Sequence, residues 1–339
     1  MNVISLTREL VDIESVTGNE AKVGRFLYDL LSTRGYALRR IPVENERFNV
    51  LALPPNHSIP SVVFATHMDT VPPFTPSSED TERIYGRGSC DAKGIIAAQI
   101  EAAERLLSER VAVGLLFLVG EERDNAGAKA ANLCPVGSEF LINGEPTENR
   151  LAIASKGALQ VQIRAQGRMS HSAYPELGES AIDKLLEALQ RLQSMRLPTN
   201  PEVGPTTMNI GLIQGGRAPN VVADQANAQV LFRTIGPTDK LRKQILEAVG
   251  TEGSVEFVTE VPFIKLNIKD SWPAMVASFF TDIPALSNWG RPFLMGPGCI
   301  HLAHTDHEHV LKEQLVAGVE AYVKLVKDLR TQHLGGNGQ

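Results

Sequence analysis

The stretch VVFATHMD, residues 62–69, decides the reading: an apolar run that stops abruptly at Thr66, His67 and Asp69. A run this uniformly apolar marks a strand covered on both faces, as in a parallel sheet with helices above and below it. The pattern recurs along the chain. GLLFLVG (114–120) is followed by Glu121 and Glu122, and EFLING (139–144) by Glu145. Helical spacing appears at residues 92–107, at Val3, Leu6, Leu10 and Ile13, and again at Val23, Phe26, Leu27, Leu30 and Leu31 before Gly35. Strands are predicted at 49–53, 61–66, 113–119 and 139–143, so helices and strands alternate as in an α/β layered domain. Sites in such sheets gather at the carboxyl ends of the strands, which would bring His67, Asp69, Glu121, Glu122 and Glu145 into one crevice.

From residue 159 the texture changes. Strands at 159–165, 207–214, 226–233 and 255–261 and helices at 181–195 and 240–249 follow in the order strand, helix, strand, strand, helix, strand, which resembles a small α+β sandwich of ferredoxin-like type. The expected organisation is therefore a discontinuous catalytic domain of residues 1–155 and 271–339, with residues 156–270 inserted as a second domain. The chain is expected to rejoin the first domain through 275–280, pass a Gly/Pro-rich loop at 290–298 and end in a helix at 310–329. The GGNGQ tail should fray, and His57 and His333 should lie at the surface.

The 339 residues carry 33 basic and 39 acidic side chains, a net charge of -6, with no Lys/Arg run to track a phosphate backbone, which argues against nucleic acid as a partner. Three widely spaced cysteines, Cys90, Cys134 and Cys299, fit free thiols in a reducing compartment, and hence a cytoplasmic home, better than a disulfide framework. The most apolar stretch, 111–120, is too short to cross a bilayer, so no membrane anchor is expected.

Two further segments bear on chemistry. In GRGSCDAKG (86–94) Asp91 precedes the 92–107 helix, and its ordinary reading is as a helix cap. The glycines match neither the Walker spacing nor the dinucleotide fingerprint, so nucleotide binding is rejected. GPGCIHLAHTDHEHV then holds His301, His304, His307 and His309, half of the chain's eight histidines. Imidazole and carboxylate groups together suit zinc, and several carboxylates around one cavity repel each other unless cations compensate them.

HMD at 67–69, GRGSCDAKG at 86–94, GEE at 120–122, GEP at 144–146 and AHT at 303–305 stand together in one order, and on them the chain resembles the di-zinc metallopeptidase and deacylase family. That family includes acetylornithine deacetylase, succinyl-diaminopimelate desuccinylase and glutamate carboxypeptidase. The resemblance spans nearly the whole chain and implies a zinc-peptidase-like catalytic domain with an inserted ferredoxin-like dimerisation domain. It also implies two zinc ions, with cobalt or manganese as substitutes, bridged by Asp91. His67 and Glu145 would complete one site, and Glu122 and His304 the other. His301 and His307 compete with His304, which is preferred because AHT is the matching segment. Asp69 would accept a hydrogen bond from His67 and fix its tautomer, and Glu121 would be the general base. Two cations roughly 3.5–4 Å apart supply Lewis-acid polarisation of a water and of the scissile amide.

In the inserted domain the resemblance implies that His171 reaches the partner subunit's active site and stabilises the oxyanion, which requires a homodimer joined through that domain. Asn220 and Arg233 would recognise a substrate carboxylate. Each also has a plain reading: Arg233 ends a strand, and Asn220 follows a proline in a turn. Cys90 is expected to be a small packing residue rather than a ligand, because no second cysteine lies nearby.

The function expected first is a metal-dependent hydrolase that cleaves the amide of an N-acyl amino acid, as a deacetylase or desuccinylase does. The alternatives are a carboxypeptidase or dipeptidase on short peptides, or a hydrolase releasing an amino acid from a carrier protein in lysine or arginine biosynthesis. A non-catalytic metal-binding relative and a thiol enzyme built on Cys90 are the readings from other classes. Glu at 145 leans toward deacylases and carboxypeptidases, since dipeptidase and aminopeptidase relatives tend to carry Asp there.

Overall fold

The computed structural model describes residues 2–55 and 59–335. His57, the side chain of His333 and most of the glycine-rich tail lie outside the described residues. The chain divides into two compact units, one of Met1–Ala152, Leu266–Met275 and Thr281–Gln339, the other of Ile153–Lys265 and Val276–Phe280. Among the described residues no helix is long and apolar enough to cross a membrane.

The first unit is built on a six-stranded sheet in the order Ala37–Glu44, Arg47–Leu53, Val113–Leu118, Val62–His67, Phe140–Asn143 and Arg291–Leu294. The last four strands run parallel, and the first two form an antiparallel hairpin that pairs antiparallel with Val113–Leu118. Every residue of Val62–His67 and of Val113–Leu118 is buried, as the uninterrupted apolar runs require. The register sets where these strands stop. His67 stands opposite Leu118, and Ala65 opposite Asn143, so the parallel strands end within two residues of one another and the residues that follow emerge along one edge.

Helices cover this sheet. In Val3–Val11 the Asn2 side chain accepts the Ser5 N–H at 2.9 Å, which caps the helix and turns Val3, Leu6 and Leu10 into the core. Lys93–Ser108 is buried along most of its length. The terminal helix, Lys312–Gly335, packs Leu315, Val319, Tyr322 and Val326 into the same core. It begins later than the spacing predicts, because His309–Leu311 is drawn into pairing with Arg83–Tyr85. The expected 290–298 loop also contains a strand, Arg291–Leu294, which a proline and only two buried apolar positions hide from periodicity. Ala37–Glu44, missed for the same reason, is a half-exposed hairpin arm.

The second unit is a four-stranded antiparallel sheet in the order Thr207–Gly215, Gln225–Thr234, Gly157–Gln166 and Ser254–Val261. Two helices, Ala181–Gln193 and Asp239–Val249, complete a ferredoxin-like alternation. Leu159, Val161, Ile163, Val230 and Phe232 meet Leu185, Leu189, Leu192, Leu241 and Ile245 in its core. Val276–Phe280 belongs to this unit, although the sequence reading places it with the first. The Lys156 N–H donates to Ala277 O at 2.9 Å and Ser155 Oγ to Phe279 O at 2.6 Å, bonds that connect segments more than a hundred positions apart and leave no local signal.

Candidate metal centre

At the carboxyl edge of the parallel strands, His67, Asp91 and Glu122 each offer one ligand atom, all within 4.8 Å of one another. His67 is the last residue of its strand. Its Nδ1 donates to the main-chain carbonyl of Asp69 at 2.9 Å, which leaves Nε2 facing Asp91 Oδ1, also at 2.9 Å. The Asp69 carboxylate stands 3.7 Å from Nδ1, so the carbonyl, not the expected carboxylate, takes the hydrogen bond that orients the ring. That carboxylate is engaged elsewhere. Oδ1 accepts the Glu121 N–H at 3.1 Å, and Oδ2 accepts the Glu122 N–H at 3.2 Å and the Thr17 hydroxyl at 2.8 Å. Asp69 therefore grips the turn that presents both glutamates.

The turn begins at Gly120, whose φ of +78° suits glycine and where a Cβ would sit 2.9 Å from Arg47 Nη2. Arg47 is held by Glu20 through two bonds of 2.6 and 2.7 Å, with both side chains almost fully buried.

Asp91 does not cap the helix that follows it. The capping position falls on Ala92 with no side-chain bond, and the carboxylate points to two imidazoles, Oδ1 to His67 and Oδ2 to His304 Nε2 at 3.4 Å. His304 Nε2 also lies 2.9 Å from Glu122 Oε1. His304 has a φ of +63°, a left-handed conformation. Of the three competing histidines, it is the one whose ring meets Asp91 and Glu122 among the described residues.

Glu145 stays outside the tight group. It follows Gly144 at the end of Phe140–Asn143, is buried, and its Oε1 has no hydrogen-bond partner. Burial and the nearby Asp91 charge push its carboxyl well above the usual range. Burial and Glu145 do the same to Glu121. Burial alone would raise Asp91, but bonds to His304 and His67 hold it far below its ordinary value. Asp91 and Glu122 in turn raise His304 to about 10. His67 is raised well above its ordinary value as Asp69 and Asp91 overcome the effect of burial. A buried carboxylate oxygen without a partner, beside carboxylates that repel one another and imidazoles that face them, is a donor set suited to divalent cations.

The signs of these shifts give a stability prediction. The stabilisation tied to Glu121 and Glu145 is complete below the ordinary carboxylate value of roughly 4.3 and is lost as pH rises through their raised values. The contribution of His304 is complete below its ordinary value and fades toward about 10. That of Asp91 is lost only in strong acid. Chelator-stripped protein should therefore melt at a higher temperature near pH 6 than near pH 8.5, and restored metal should shrink the difference. A melting temperature that rises with pH in the stripped protein counts against this electrostatic account.

Asp282 was not signalled by the sequence. It is 1% exposed, accepts a hydrogen bond from Asn125 Nδ2 at 2.9 Å, and is pushed up to about 7 by burial and, less strongly, by Asp69. No flanking motif distinguishes it from a surface aspartate.

The residues expected in the inserted domain, His171, Asn220 and Arg233, belong to the second unit. His171 is exposed, and its Nδ1 accepts the Ala173 N–H at 3.1 Å, which puts the ring proton on Nε2. His171 bridges to Val221, and the Ser172 N–H donates to Asn220 O at 3.0 Å, so His171 and Asn220 share one exposed corner. Arg233 lies with its guanidinium 5.5 Å from the Phe280 ring centre, and its Nη1 is buried without a partner. Cys90 is buried with its thiol pushed up by burial, and it donates to Cys299 O at 3.4 Å, as a packing residue would.

Comparison with known proteins places the chain in a family. Residues 153–254 match the family described as a peptidase dimerisation domain. A probable carboxypeptidase of Aspergillus fumigatus is 38% identical, with 96% of this chain and 86% of that protein covered. A solved structure of a tripeptidase from Staphylococcus aureus superposes with a TM-score of 0.81 at 22% identity, covering 96% of this chain and 98% of that one. A peptidase M20 domain-containing protein of Schizosaccharomyces pombe is 39% identical over 96% of this chain and 84% of its own length. Identity at that level across nearly the whole sequence, on a fold whose strand ends converge as these do, means that the chain belongs to the M20 family of metallopeptidases.

Proposed function

We propose that the protein is a metal-dependent exopeptidase of carboxypeptidase type, acting on short peptides with a free C-terminal carboxylate. The observation that carries the reading is the convergence of His67, Asp91 and Glu122 with a buried Glu121 beside them. The names of relatives at 36–38% identity favour a carboxypeptidase over the deacylase expected first. His67, Asp91 and Glu145 would hold one cation, and Asp91, Glu122 and His304 a second, with zinc the ion best matched to imidazole and carboxylate. Bound divalent cations would supply Lewis-acid polarisation of the attacking water and the scissile carbonyl.

The chain's own groups do the rest. Glu121 takes the water proton on its carboxylate and returns it to the departing amide nitrogen. Asp69 holds the backbone of Glu121 and Glu122 in place. His171 of the partner subunit, with its proton on Nε2, would donate to the oxyanion across the proposed homodimer. Arg233 receives the substrate carboxylate through its planar fork, with Asn220 assisting.

A substrate panel with added zinc or cobalt tests this. Dipeptides and tripeptides with free C-termini should be cleaved, and their C-terminal amides should not. Preference for N-acetyl or N-succinyl amino acids over peptides would restore the deacylase reading, and inertness toward every amide would sink both.

We also propose a homodimer through the second unit. Among the described residues Thr207–Gly215 is an edge strand with Leu212 and Ile213 exposed, and an apolar edge of this kind invites a second copy. Ile213→Lys should halve the mass measured in solution. An unchanged dimer in that variant would place the interface elsewhere.

A further inference from the structure

Four residues beyond His304 the chain turns Glu308 inward, leaving it 3% exposed. Its Oε1 accepts three backbone N–H groups, from Gly88 at 2.9 Å and from Cys90 and Asp91 at 3.1 Å each. Its Oε2 accepts Arg87 Nη1 at 2.6 Å, and its main-chain carbonyl accepts the Gly86 N–H at 3.1 Å. Arg87 is equally buried and is fixed in turn through its N–H to Thr75 O and its Nε to Pro73 O. One residue thus binds the turn at 86–91 at five points. The connection back to His304 is short and internally bonded, since Thr305 Oγ1 accepts the His307 N–H and Thr305 O accepts the Glu308 N–H.

Packing alone does not account for this arrangement. A carboxylate taken out of water is costly, and a side chain that only filled space would be apolar. Three amides converging on one oxygen need an anion there. Remove it and the N–H of Asp91 itself is left unsatisfied in a buried place.

We infer that Glu308 is a positioning residue for the metal centre, tying the turn that aims Asp91 to the loop that aims His304 so that the two side chains meet at the observed spacing. This rests on the metal reading above. Glu308 touches neither substrate nor cation; it acts through Asp91 and His304. An amide in its place keeps the shape but presents an NH2 to Arg87 or to the turn's N–H groups, so the turn and the loop separate or shift.

The test uses Glu308→Gln in the full-length protein, with Val326→Ala as a comparison that removes core packing in the terminal helix without touching either loop. Stripped proteins are titrated with Co2+ alone against a chromophoric chelator, and the visible spectrum of the bound cobalt is recorded. In Glu308→Gln, Co2+ affinity should fall about 10–100-fold with an altered spectrum, and kcat should fall with KM little changed. Val326→Ala should lower the melting temperature while leaving affinity and spectrum at wild type. Should Glu308→Gln not fold, Glu308→Asp, which keeps the charge but withdraws it by one methylene, takes its place with the same expectation. Wild-type affinity and spectrum in the folded variant overturn the positioning role while the metal reading stands. Failure of the wild-type protein to bind Co2+ at all overturns both.

Discussion

Glu121→Gln is expected to lower amide hydrolysis by about 10²–10⁴-fold while the content of bound divalent metal stays at the wild-type level. The substitution keeps the shape of a buried side chain and replaces its carboxylate with an amide that cannot take up and return a proton. Glu121 is suited to that task by its surroundings. Its backbone is fixed by the Asp69 carboxylate, and burial with the Glu145 charge raises its carboxyl well above the ordinary range. The measurement is kcat on a cleaved peptide alongside elemental analysis after dialysis. Wild-type turnover would remove Glu121 from the mechanism, and loss of metal would make it a ligand rather than a base.

Asp91→Asn should do the opposite to the metal. The two carboxylate oxygens of Asp91 face two different imidazoles, Oδ1 toward His67 and Oδ2 toward His304, which fits the proposed part of Asp91 in holding both cations. An amide offers one oxygen and one NH2, so one of the two facing positions becomes a donor and repels a cation. Bound metal should fall below stoichiometry after dialysis, and activity should drop about 10³-fold or more, equivalent to several kcal/mol of lost charge stabilisation. The contrast between the two variants separates metal retention from proton transfer. Full metal content in Asp91→Asn would show that its carboxylate is dispensable for binding.

The strands and the chemistry at their ends were legible in the sequence because both are local. A run such as VVFA, buried on both faces, has no polar residue to spare, so the first ones after it, Thr66, His67 and Asp69, mark the edge of the sheet. The βαββαβ order of the second unit was readable for the same reason, its two central strands burying alternate positions. The half-exposed strand Ala37–Glu44 and the proline-bearing Arg291–Leu294 lacked that signature.

By itself the sequence determined the parallel core, the ferredoxin-like insert and the stock of imidazoles and carboxylates from which a centre could be built. Residue type and spacing left Asp91 as a helix cap and four histidines on equal terms, and only the resemblance singled out Asp91 and His304; tertiary structure brought the groups together, turning Asp91 to two histidines, His304 to Glu122 and Asp69 to the Glu121–Glu122 backbone. It also disclosed Asp282 and the Glu308–Arg87 pair. Periodicity and residue type act over a few positions, whereas the bond from Asp91 to Glu308 joins residues 217 apart, and such a contact exists only once burial has forced the two segments together.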